Sequence, residues 1–578
     1  MLMTHFKYLL TILVFIFYAH AYSQDNTFSK SDFTPPVDIP IYLSGTFGEL
    51  RGNHFHTGID IKTQGIIGKS ILAIDDGWVS RIKVSTSGYG KALYITHPNG
   101  YLSVYGHLQM FNDTIQKVVV ENQYEKESFE IQLFFEKNEL PVKKGEIVAM
   151  SGNTGSSMGP HLHFEIRDLR SQNPLNPLLF NSIKINDYYR PKIKLLAIYP
   201  VNKSSIIDGK NDTVYFDISG WGENHKLKDN PTIKVSGSIS FGIATYDLMN
   251  DIPNKNGVYS GKVYVDDNKV FDIKMDRLSF KTGRYINSLI DYSYYKKSKT
   301  RLIRTQVDTN NMFKNYVNVI NNGIITIDDT LSHNIRFEIS DAYDNFSSLN
   351  FSLVGIETSK EIKNEYKKKD GILFRYDNEN NISEDGIIAE FPVNTFYQSF
   401  YFDYKKMKQD STTYSSIYKL HNSFTPVHKY YDLRISFDSI SDSLLSKAYI
   451  AYSEDGSDYY YSGGIIDGKT LKGKFRKLGY YKVMVDTIPP KISEGNFKEG
   501  IIVTNLGKLS IKISDPDSGI KSYRGYLNDN WILMEYDPKN ELLVYNFDNN
   551  IGKGPSNFRL EVIDNSDNFS NYECSFIN

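Results

Sequence analysis

Two histidines separated by one residue lie in the segment "GPHLHFEI", residues 159–166. The apolar residues around them predict a β-strand, in which alternate side chains point to opposite faces of the sheet. His161 and His163 are therefore expected on one face, with Leu162 on the other. Two imidazoles on one face repel each other when protonated and gain little from packing. A metal ion is the usual reason for such a pair, because histidine is a common metal ligand.

A second segment, "FHTGID" at residues 55–60, supplies the further ligands that a metal site needs. As a strand that begins at residue 55, it places His56, Gly58 and Asp60 on one face, where Gly58 leaves open space for an ion. With His163, the pair His56 and Asp60 forms a set of two histidines and one carboxylate. Such a set leaves a fourth tetrahedral position for water and predicts a catalytic zinc site. Zinc lowers the pKa of its bound water to about 7.

Two more histidines are candidates for catalysis beside that site. His161 neighbours the ligand His163 and is placed to manage the proton of the water. In "YLSVYGHLQ", residues 101–109, the pattern predicts a strand that ends at Gly106-His107, where the imidazole of His107 projects into a cleft. Glycine-rich strand–turn–strand patterns connect these segments. They predict that the candidate residues all lie on one antiparallel sheet.

Three other polar residues near these segments have competing interpretations. His54 shares a predicted face with His56 and is an alternative ligand, although the spacing around His56 fits better. His97 lies in the turn "HPNG" and is predicted to be a solvated loop residue. Glu165 is either a group that supports a ligand or a strand-edge carboxylate in solvent. The preferred ligand set therefore contains none of the three.

The three segments "FHTGID", "YGHL" and "GPHLHFEI", in this order, resemble the motifs of the lysostaphin/LytM-type zinc metallopeptidases, the M23 family. The resemblance covers about residues 36–180. By motif, the zinc ligands that it implies are His56, Asp60 and His163. His161 matches the catalytic base, and His107 matches the second catalytic histidine, which is implied to stabilise the oxyanion-like transition state. The implied substrates are peptide cross-bridges of peptidoglycan, which a zinc-activated water hydrolyses.

Two further features concern the regions around these motifs. The connection from residue 111 to 146 is longer than is common in the family, and its alternating "FEIQLFF" predicts an added hairpin near the cleft. The C-terminal two-thirds of the chain resembles the immunoglobulin-like sandwich tails that some bacterial members carry. Both features bear on which substrates reach the site.

The composition favours strands over helices, since the 578 residues include 43 Tyr and 34 Phe. We predict a mainly β protein, with an antiparallel-sheet, lysostaphin-like peptidase domain followed by several immunoglobulin-like β-sandwich domains. Residues 334–355 and 558–577 share a pattern of strand, "DNFS" and strand, which is typical of the closing hairpin of a repeated sandwich unit. The predicted domains are a signal peptide (1–21), the M23-type zinc peptidase domain (36–187), an Ig-like β domain (188–358), a β-rich domain (359–484) and an Ig-like β-sandwich domain (485–578).

The N-terminal residues predict export. Lys7 precedes a short apolar run at residues 8–18, and Ala19-His20-Ala21 fits a small-x-small cleavage site. The run is too short for a membrane span of about 20 residues. We therefore predict a mature protein without a transmembrane span, located in the periplasm, in the cell envelope or outside the cell; the alternative is an N-terminal anchor that is not cleaved.

Charge and cysteine content exclude other classes of function. A net charge of −2 gives no basic surface for nucleic acid, and the single cysteine, Cys574, excludes an intramolecular disulfide and a multi-cysteine zinc site. The sequence therefore predicts an exported zinc metalloendopeptidase that acts on peptidoglycan peptides, with a cell-wall or surface partner for its β tail. Two alternatives stay open: a catalytically inactive relative that activates a cell-wall amidase, and a cell-wall-binding adhesin with a structural zinc site.

Overall fold

The structure is a computed structural model of the chain, and it describes residues 32–578 except 182, 184, 251, 358–370, 410–412, 439, 494 and 549–552. The chain is 48% strand and 7% helix, which confirms the prediction of a mainly β protein. The predicted signal peptide, residues 1–21, lies outside the described residues. Within the described part, no helix combines the length and the apolar character needed to cross a lipid bilayer.

The three motif segments meet in an 11-stranded antiparallel sheet, here called the N-terminal sheet. In chain order its strands are β1 (Leu43–Gly45), β2 (Ile59–Lys62), β3 (Ser70–Leu72), β4 (Gly77–Val84), β5 (Lys91–Thr96), β6 (Tyr101–Phe111), β7 (Ile131–Phe134), β8 (Pro141–Val142), β9 (Ile147–Ser151), β10 (His161–Asp168) and β11 (Pro174–Leu175). The main path of neighbouring strands is β1-β2-β10-β6-β5-β4-β7. His163 in β10 lies opposite Asp60 in β2 and opposite Gly106 in β6, so the pairing brings distant motifs side by side.

The two faces of β10 differ in the way its alternating sequence predicts. Leu162, Phe164 and Ile166 are fully buried in the hydrophobic core on one face. The residues between them, at positions 161, 163, 165 and 167, are histidine, histidine, glutamate and arginine and share the other face. The apolar face fixes the register of β10, because a slip by one residue would expose three large apolar side chains.

The connection at residues 111–146 is not the hairpin expected there. It forms helix α1 (Asp113–Glu125), followed by the strands β7 and β8, which pair with β4 and not with each other. Ile115, Val119 and Gln123 recur every four residues and are buried, which is the spacing of one helix face. Three strands separate β7 from β10 in the sheet. The expectation of an added hairpin near the cleft is therefore wrong, because the insertion lies at the opposite edge of the sheet from β1 and β2.

A 13-stranded sheet follows and shares a hydrophobic core with the N-terminal sheet. Its strands are β12 (Lys192–Pro200), β13 (Ile206–Ile207), β14 (Val214–Trp221), β15 (Asn224–Leu227), β16 (Ile233–Leu248), β17 (Lys255–Asn256), β18 (Ser260–Val265), β19 (Asn268–Lys274), β20 (Ile303–Arg304), β21 (Tyr316–Val319), β22 (Ile325–Ile327), β23 (Ser332–Ser340) and β24 (Phe346–Gly355). The helices of this part are α2 (Ile286–Leu289) and α3 (Tyr292–Ser298), with short 3-10 helices at Pro177–Leu179, Gly283–Tyr285 and Asn321–Gly323. β23 and β24 form the hairpin predicted for residues 334–355. Phe55, before β2, stacks on Phe313, before β21, with ring centroids 4.6 Å apart, so segments next to the two sheets contact each other directly.

The remaining strands surround two separate hydrophobic cores. The first set is β25 (Ile372–Phe374), β26 (Asn380–Glu384), β27 (Ile387–Phe391), β28 (Phe400–Phe402), β29 (Tyr404–Met407), β30 (Ile417–Leu420), β31 (Tyr431–Ser436), β32 (Ala448–Ser453), β33 (Tyr460–Tyr461), β34 (Ile465–Asp467), β35 (Thr470–Phe475) and β36 (Gly479–Val485), with helix α4 (Asp442–Leu445) before β32. The second set is β37 (Lys491–Ser493), β38 (Lys508–Ser514), β39 (Ile520–Leu527), β40 (Asn530–Ile532), β41 (Glu535–Asp537), β42 (Leu542–Asn546), β43 (Pro555–Asp564) and β44 (Phe569–Ile577). The second set folds as two four-stranded sheets, here called the C-terminal sandwich. Its strands β43 and β44 form the hairpin predicted for residues 558–577.

Candidate metal centre

The three predicted metal ligands converge on one point between β2 and β10. His56 Nε2 lies 3.0 Å from His163 Nδ1, and Asp60 Oδ1 lies 2.9 Å from the same nitrogen. The distance between His56 Nε2 and Asp60 Oδ1 is 3.1 Å. All three side chains are buried. The pairing of β2 with β10 therefore assembles two nitrogens and one oxygen in the arrangement of a metal site.

Hydrogen bonds on the far side of each imidazole determine which nitrogen faces that point. His56 Nδ1 donates to the carbonyl of Thr46 at 2.8 Å, which leaves a lone pair on Nε2. His163 Nε2 donates to Glu165 Oε1 at 2.9 Å, which leaves a lone pair on Nδ1. With Asp60 Oδ1, three electron pairs then face one another at about 3 Å. A positive species, either a proton or a metal cation, must lie between them, and the donor set fits zinc.

The second oxygen of Asp60 is occupied by an arginine. Arg51 Nη2 donates to Asp60 Oδ2 at 2.5 Å, so only Oδ1 faces the two histidines. Gly45 leaves room for this ion pair, since a Cβ at that position would lie 2.5 Å from Arg51 Nη2. Burial opposes ionisation of Asp60, but the neighbouring His56, together with hydrogen bonds from His161 and His163, holds its pKa well below the usual range. Asp60 therefore presents a single anionic oxygen to the two histidines.

His161 and His107 flank the centre with their rings 4.7 Å apart. His161 Nδ1 donates to the carbonyl of Gly159 at 2.8 Å, and its Nε2 lies 3.4 Å from Asp60 Oδ1. His107 Nδ1 donates to the carbonyl of Thr154 at 2.8 Å. Burial, with the charges of His163 and His161, lowers the pKa of His107 to about 3. Each ring, when neutral, therefore presents Nε2 as a proton acceptor.

Glu165 connects the centre to a buried polar network. Besides His163, it accepts hydrogen bonds from Thr57 Oγ1 at 2.6 Å, from the Tyr89 hydroxyl at 2.5 Å and from Arg167 Nε at 2.6 Å. Burial raises the pKa of this carboxyl, but Arg167 and His163 lower it well below its usual range. Glu165 is fully buried, so the interpretation as a solvent-exposed carboxylate is wrong. It orients a histidine of the site, as carboxylates behind metal-binding histidines commonly do.

Sequence reasoning missed Tyr89 and Arg167. The ring of Tyr89 stacks on His163 with centroids 4.9 Å apart. Tyr89 lies in a glycine-flanked turn before β5, and no periodicity points from there to the site. Arg167 was detectable, because it continues the period-two series of His161, His163 and Glu165 along β10.

Two of the other histidines are not at the centre. His54 is exposed, and its Nδ1 bonds to the carbonyl of Gly52, so the structure does not favour it as an alternative ligand. His97 is 1% exposed and bonds to the carbonyl of Asp76 and to Ser103 Oγ. The prediction of a solvated loop residue is therefore wrong for His97, which is a buried structural side chain.

The local backbone differs from the expected strands at two positions. β2 begins at Ile59 rather than at residue 55, and Gly58 does not leave space for an ion. A Cβ on Gly58 would lie 2.3 Å from the carbonyl oxygen of Phe164, so the glycine permits close approach of β10. β6 does not end at His107 but continues to Phe111, and His107 has a φ of 60° within the strand. This left-handed residue turns its imidazole out of the regular strand alternation.

The C-terminal sandwich contacts the loop that supports both flanking histidines. Lys539 Nζ donates to the carbonyls of Asn153 and Ser157, at 2.5 and 3.0 Å. The same loop contains Thr154, which holds His107, while Ser157 Oγ lies 3.2 Å from Nδ1 of His161. Residues far apart in sequence therefore jointly fix the rim of the centre.

A second set of contacts joins the sandwich to the N-terminal sheet. Lys91, buried beside this rim, forms an ion pair with Glu535 at 2.9 Å. On α1, Tyr124 hydrogen-bonds to Asp548 and packs edge-on against Trp531. The insertion thus serves as a docking surface for the C-terminal sandwich rather than as a cover for the cleft.

Two family models match the chain. Residues 54–124 and 120–177 match peptidase family M23, and residues 372–486 match the Zu5-like domain. The first match covers the segments that form the centre and confirms the resemblance noted from the sequence. The M23 match thus lies in the part of the chain that forms the N-terminal sheet, and the Zu5-like match spans the strands β25–β36.

Several curated proteins are similar over part of the chain. An "Uncharacterized metalloprotease" of Haemophilus influenzae is 33% identical over 159 residues, which is 26% of this chain and 28% of that protein. The "DD-carboxypeptidase/endopeptidase Mpg" of Neisseria meningitidis is 33% identical over 123 residues, 21% of this chain and 22% of that protein. The "Murein hydrolase activator NlpD" of Escherichia coli is 37% identical over 134 residues, 23% of this chain and 28% of that protein. The chain thus spans less than a third of the length of each.

Solved structures also align with part of the chain. The catalytic domain of the M23 protein EnpA from Enterococcus faecalis is 27% identical, with 25% of this chain and 96% of that chain covered and a TM-score of 0.19. A zinc-containing peptidase from Vibrio cholerae is 26% identical, with 25% and 39% covered and a TM-score of 0.19.

Proposed function

We propose that the chain is an exported zinc metalloendopeptidase that hydrolyses peptide bonds in the cross-bridges or stem peptides of peptidoglycan. The observation that carries the proposal is the convergence of His56 Nε2, His163 Nδ1 and Asp60 Oδ1, with two further imidazoles beside them. The M23 match and the relatives named as metalloprotease, endopeptidase or murein hydrolase activator support a cell-wall peptidase or an activator of one.

In this proposal three protein ligands hold the ion and leave one position open. A zinc ion held by these residues would acidify a water molecule and polarise a peptide carbonyl. Arg51 keeps Asp60 monodentate, and Glu165 keeps Nδ1 of His163 directed at the ion. The absence of a fourth protein ligand among the described residues supports a catalytic rather than a closed structural site.

His161 is assigned the transfer of the water proton. Its Nδ1 is held by the carbonyl of Gly159, so Nε2 is the acceptor that faces the centre. Positioned proton transfer of this kind typically contributes about 10²- to 10⁴-fold to the rate. The accepted proton is then available for the leaving amine of the cleaved peptide bond.

His107 is assigned the stabilisation of negative charge in the transition state, provided that its Nε2 carries a proton. Its Nδ1 already donates to Thr154, so a neutral ring has no N–H left to donate from Nε2. His107 acts as a donor only when both nitrogens carry protons, or by sharing the proton that leaves the water. The close approach of the His107 and His161 rings supports this sharing.

A second function is favoured by one comparison. The 37% identity to the activator NlpD supports a role in which the domain binds and activates a cell-wall amidase without hydrolysis. The presence of both flanking imidazoles next to the ligand set favours the peptidase. The β tail is assigned a cell-wall or surface partner in either case, and the predicted signal peptide directs the chain out of the cytoplasm.

The test is digestion of purified peptidoglycan by the zinc-loaded full chain, with the released fragments identified by mass spectrometry. We expect peptide-bond products that disappear in His161→Ala and persist in His54→Ala, an exposed histidine of the same domain. Absence of peptide fragments together with stimulation of a cell-wall amidase would replace the peptidase by the activator. Absence of both activities would reject both functions.

A further inference from the structure

Two pairs of sequence segments outside the metal centre repeat each other. Residues 187–193 and 486–492 both read Asp-x-x-x-Pro-Lys-Ile, and residues 341–347 and 564–570 both read Asp-x-x-Asp-Asn-Phe-Ser. In each repeat the first segment leads into the first strand of a β unit, which is β12 in one unit and β37 in the other. The second segment forms the turn of the last hairpin of that unit, β23–β24 or β43–β44. The repeated aspartates meet in space, once in each β unit. The two clusters of aspartates therefore belong to the repeated pattern and are not specific to one loop.

The first carboxylate site consists of Asp187, Asp247 and Asp341. Each offers one oxygen, and these oxygens all lie within 4.8 Å of one another. Asp187 precedes β12, Asp247 lies near the end of β16, and Asp341 follows β23. All three are buried, and none forms a salt bridge with another described residue. Three buried carboxyl groups from three separate segments thus face one another, with no salt-bridge partner in the described part of the chain.

Several polar atoms at the first carboxylate site have no hydrogen-bond partner among the described residues. They include Oδ1 of Asp247, which is 1% exposed, and Oδ2 of Asp187, which is 7% exposed. Asn256 lies directly opposite Asp247 in the β16–β17 pair, is 4% exposed, and has neither amide atom satisfied. A small cavity adjoins them, lined in part by Asp247, Asp341 and Tyr343. Buried polar atoms without partners are rare and costly, and two of them, Oδ1 of Asp247 and the hydroxyl of Tyr343, belong to residues that line this cavity.

Electrostatics at the first carboxylate site is unfavourable without a cation. Burial, with the charges of Asp341 and Asp187, raises the pKa of Asp247 to about 9. Burial also raises the pKa of Asp187 to about 6, and the nearby Asp341 adds to the shift. Asp341 is held in place by hydrogen bonds from Asn345, whose side chain also donates to the carbonyl of Asp187 at 3.0 Å. The turn therefore holds the carboxylates together although they repel.

The second carboxylate site consists of Asp486, Asp515 and Asp564 and has the same construction. Its oxygens also lie within 4.8 Å of one another. Asn568 donates to Asp564 Oδ2 at 2.7 Å and to the carbonyl of Asp486 at 3.1 Å, as Asn345 does in the first site. Oδ2 of Asp486, which is 3% exposed, and Oδ2 of Asp515 have no partner within the described part of the chain. Oδ1 of Asp515 is bound by three backbone N–H groups, which leaves Oδ2 as its free acceptor.

We propose that the two carboxylate sites each bind one calcium ion. The available ligands are all carboxylate or amide oxygens, which calcium accepts in irregular geometry with six to eight ligands. Zinc in proteins is usually held by histidine or cysteine, and magnesium demands a near-ideal octahedron. Each ion would join the segment that enters a β unit to the last hairpin of that unit. The cavity at the first carboxylate site is also lined by Thr46, whose carbonyl holds His56, so this ion would connect the tail to the metal centre.

The experiment measures calcium binding to the full chain. The protein is stripped of metal, reloaded with one equivalent of Zn²⁺, and titrated with Ca²⁺ in the presence of excess Mg²⁺. We expect two bound Ca²⁺ per chain and a rise in Tm, with affinities of roughly 10⁻⁴ to 10⁻³ M, as in extracellular calcium modules. No bound Ca²⁺ at millimolar concentration, with an unchanged Tm, would overturn the proposal.

Variants assign each ion to its site. Asp247→Asn should remove one Ca²⁺, Asp515→Asn should remove the other, and the double variant should bind none. Both changes keep the side-chain shape and remove a charge, so folding should persist. Asp344→Asn, an exposed aspartate of the first repeat, is the matched control and should keep both ions. Two ions retained in the double variant would show that calcium binds elsewhere and would overturn the assignment.

Discussion

At the scale of single residues, the partners of each imidazole determine its role. His56 and His163 turn opposite nitrogens toward the same point, because Thr46 holds Nδ1 of one and Glu165 holds Nε2 of the other. The sequence predicted which residues meet, since residue type and period-two spacing are visible in it. It did not predict the tautomers of the two histidines. These depend on the backbone carbonyl of Thr46 and on whether Glu165 is buried behind His163 or exposed to solvent, which the sequence left open.

The role of Glu165 gives the first prediction. Glu165→Gln should weaken zinc binding by about 10- to 100-fold, the usual effect of losing a carboxylate behind a metal-binding histidine. The amide cannot accept all the hydrogen bonds that Thr57, Tyr89 and Arg167 donate to the carboxylate. Zinc affinity is measured by competition with a coloured chelator. Glu125→Gln, an exposed position on α1, is the control, and equal affinity in the two variants would contradict the role of Glu165.

Protonation of His163 gives a second prediction. Burial lowers its pKa, but hydrogen bonds with Asp60 and Glu165 outweigh this and raise the pKa of the metal-free site to about 9. His163 is therefore protonated at pH 7 without metal, and zinc must displace that proton. Calorimetry in buffers of different ionisation enthalpy should detect release of about one proton per zinc at pH 7 and little above pH 10. Zinc binding without proton release at pH 7 would contradict this account.

At the scale of elements, the sequence predicted the regular alternation of side chains along a strand but not the irregular backbone. The faces of β10 followed directly from its sequence. The positive φ of His107 and the late start of β2 did not, because each depends on contacts with a strand distant in sequence. Helix α1 was not predicted, because the alternating segment "FEIQLFF" favoured strands for residues 111–146. The buried face of the helix is narrow and gives only a weak signal in the sequence.

Close packing of β2 against β10 gives a third prediction. Gly58→Ala should destabilise the domain by about 1–3 kcal/mol, as overpacking typically does, and should reduce zinc binding. The added Cβ would lie 2.3 Å from the backbone oxygen of Phe164, which cannot move without shifting His163. Gly52→Ala is the control, since nothing lies within 4 Å of its Cβ position. Thermal unfolding and zinc content are compared. A Gly58→Ala protein as stable as the control would contradict the packing described here.

At the scale of the whole molecule, the sequence predicted a β protein of several units but not how they pack. The domain boundaries stay predictions. One hydrophobic core contains side chains from Phe33 to Leu353, together with Tyr397, and crosses the boundary predicted at residues 187 and 188. Apolar patterning identifies strands, but it does not reveal which buried faces share a core. The docking of the C-terminal sandwich on α1 and on the rim of the centre was likewise invisible, because it depends on single contacts between distant segments.

The shared core gives a fourth prediction. A chain of residues 32–188 should be aggregated or zinc-free, because it exposes Phe55 and other side chains of the core, each worth about 1.5–3 kcal/mol when buried. A chain of residues 32–357 should be soluble and bind about one zinc ion. Size-exclusion chromatography and elemental analysis distinguish the two. A monomeric, zinc-binding chain of residues 32–188 would show that the N-terminal sheet folds independently.

The most direct test of the central claim compares zinc content with the rate of peptide hydrolysis in full-length variants. His163→Ala should lose both zinc and activity, because it removes one of three ligands. His161→Ala should keep about one zinc and lose about 10²- to 10⁴-fold in rate, because it removes proton transfer alone. His54→Ala should change neither. Loss of zinc in His161→Ala with zinc retained in His163→Ala would reverse the assignment, and an unchanged rate in both would contradict catalysis at this centre.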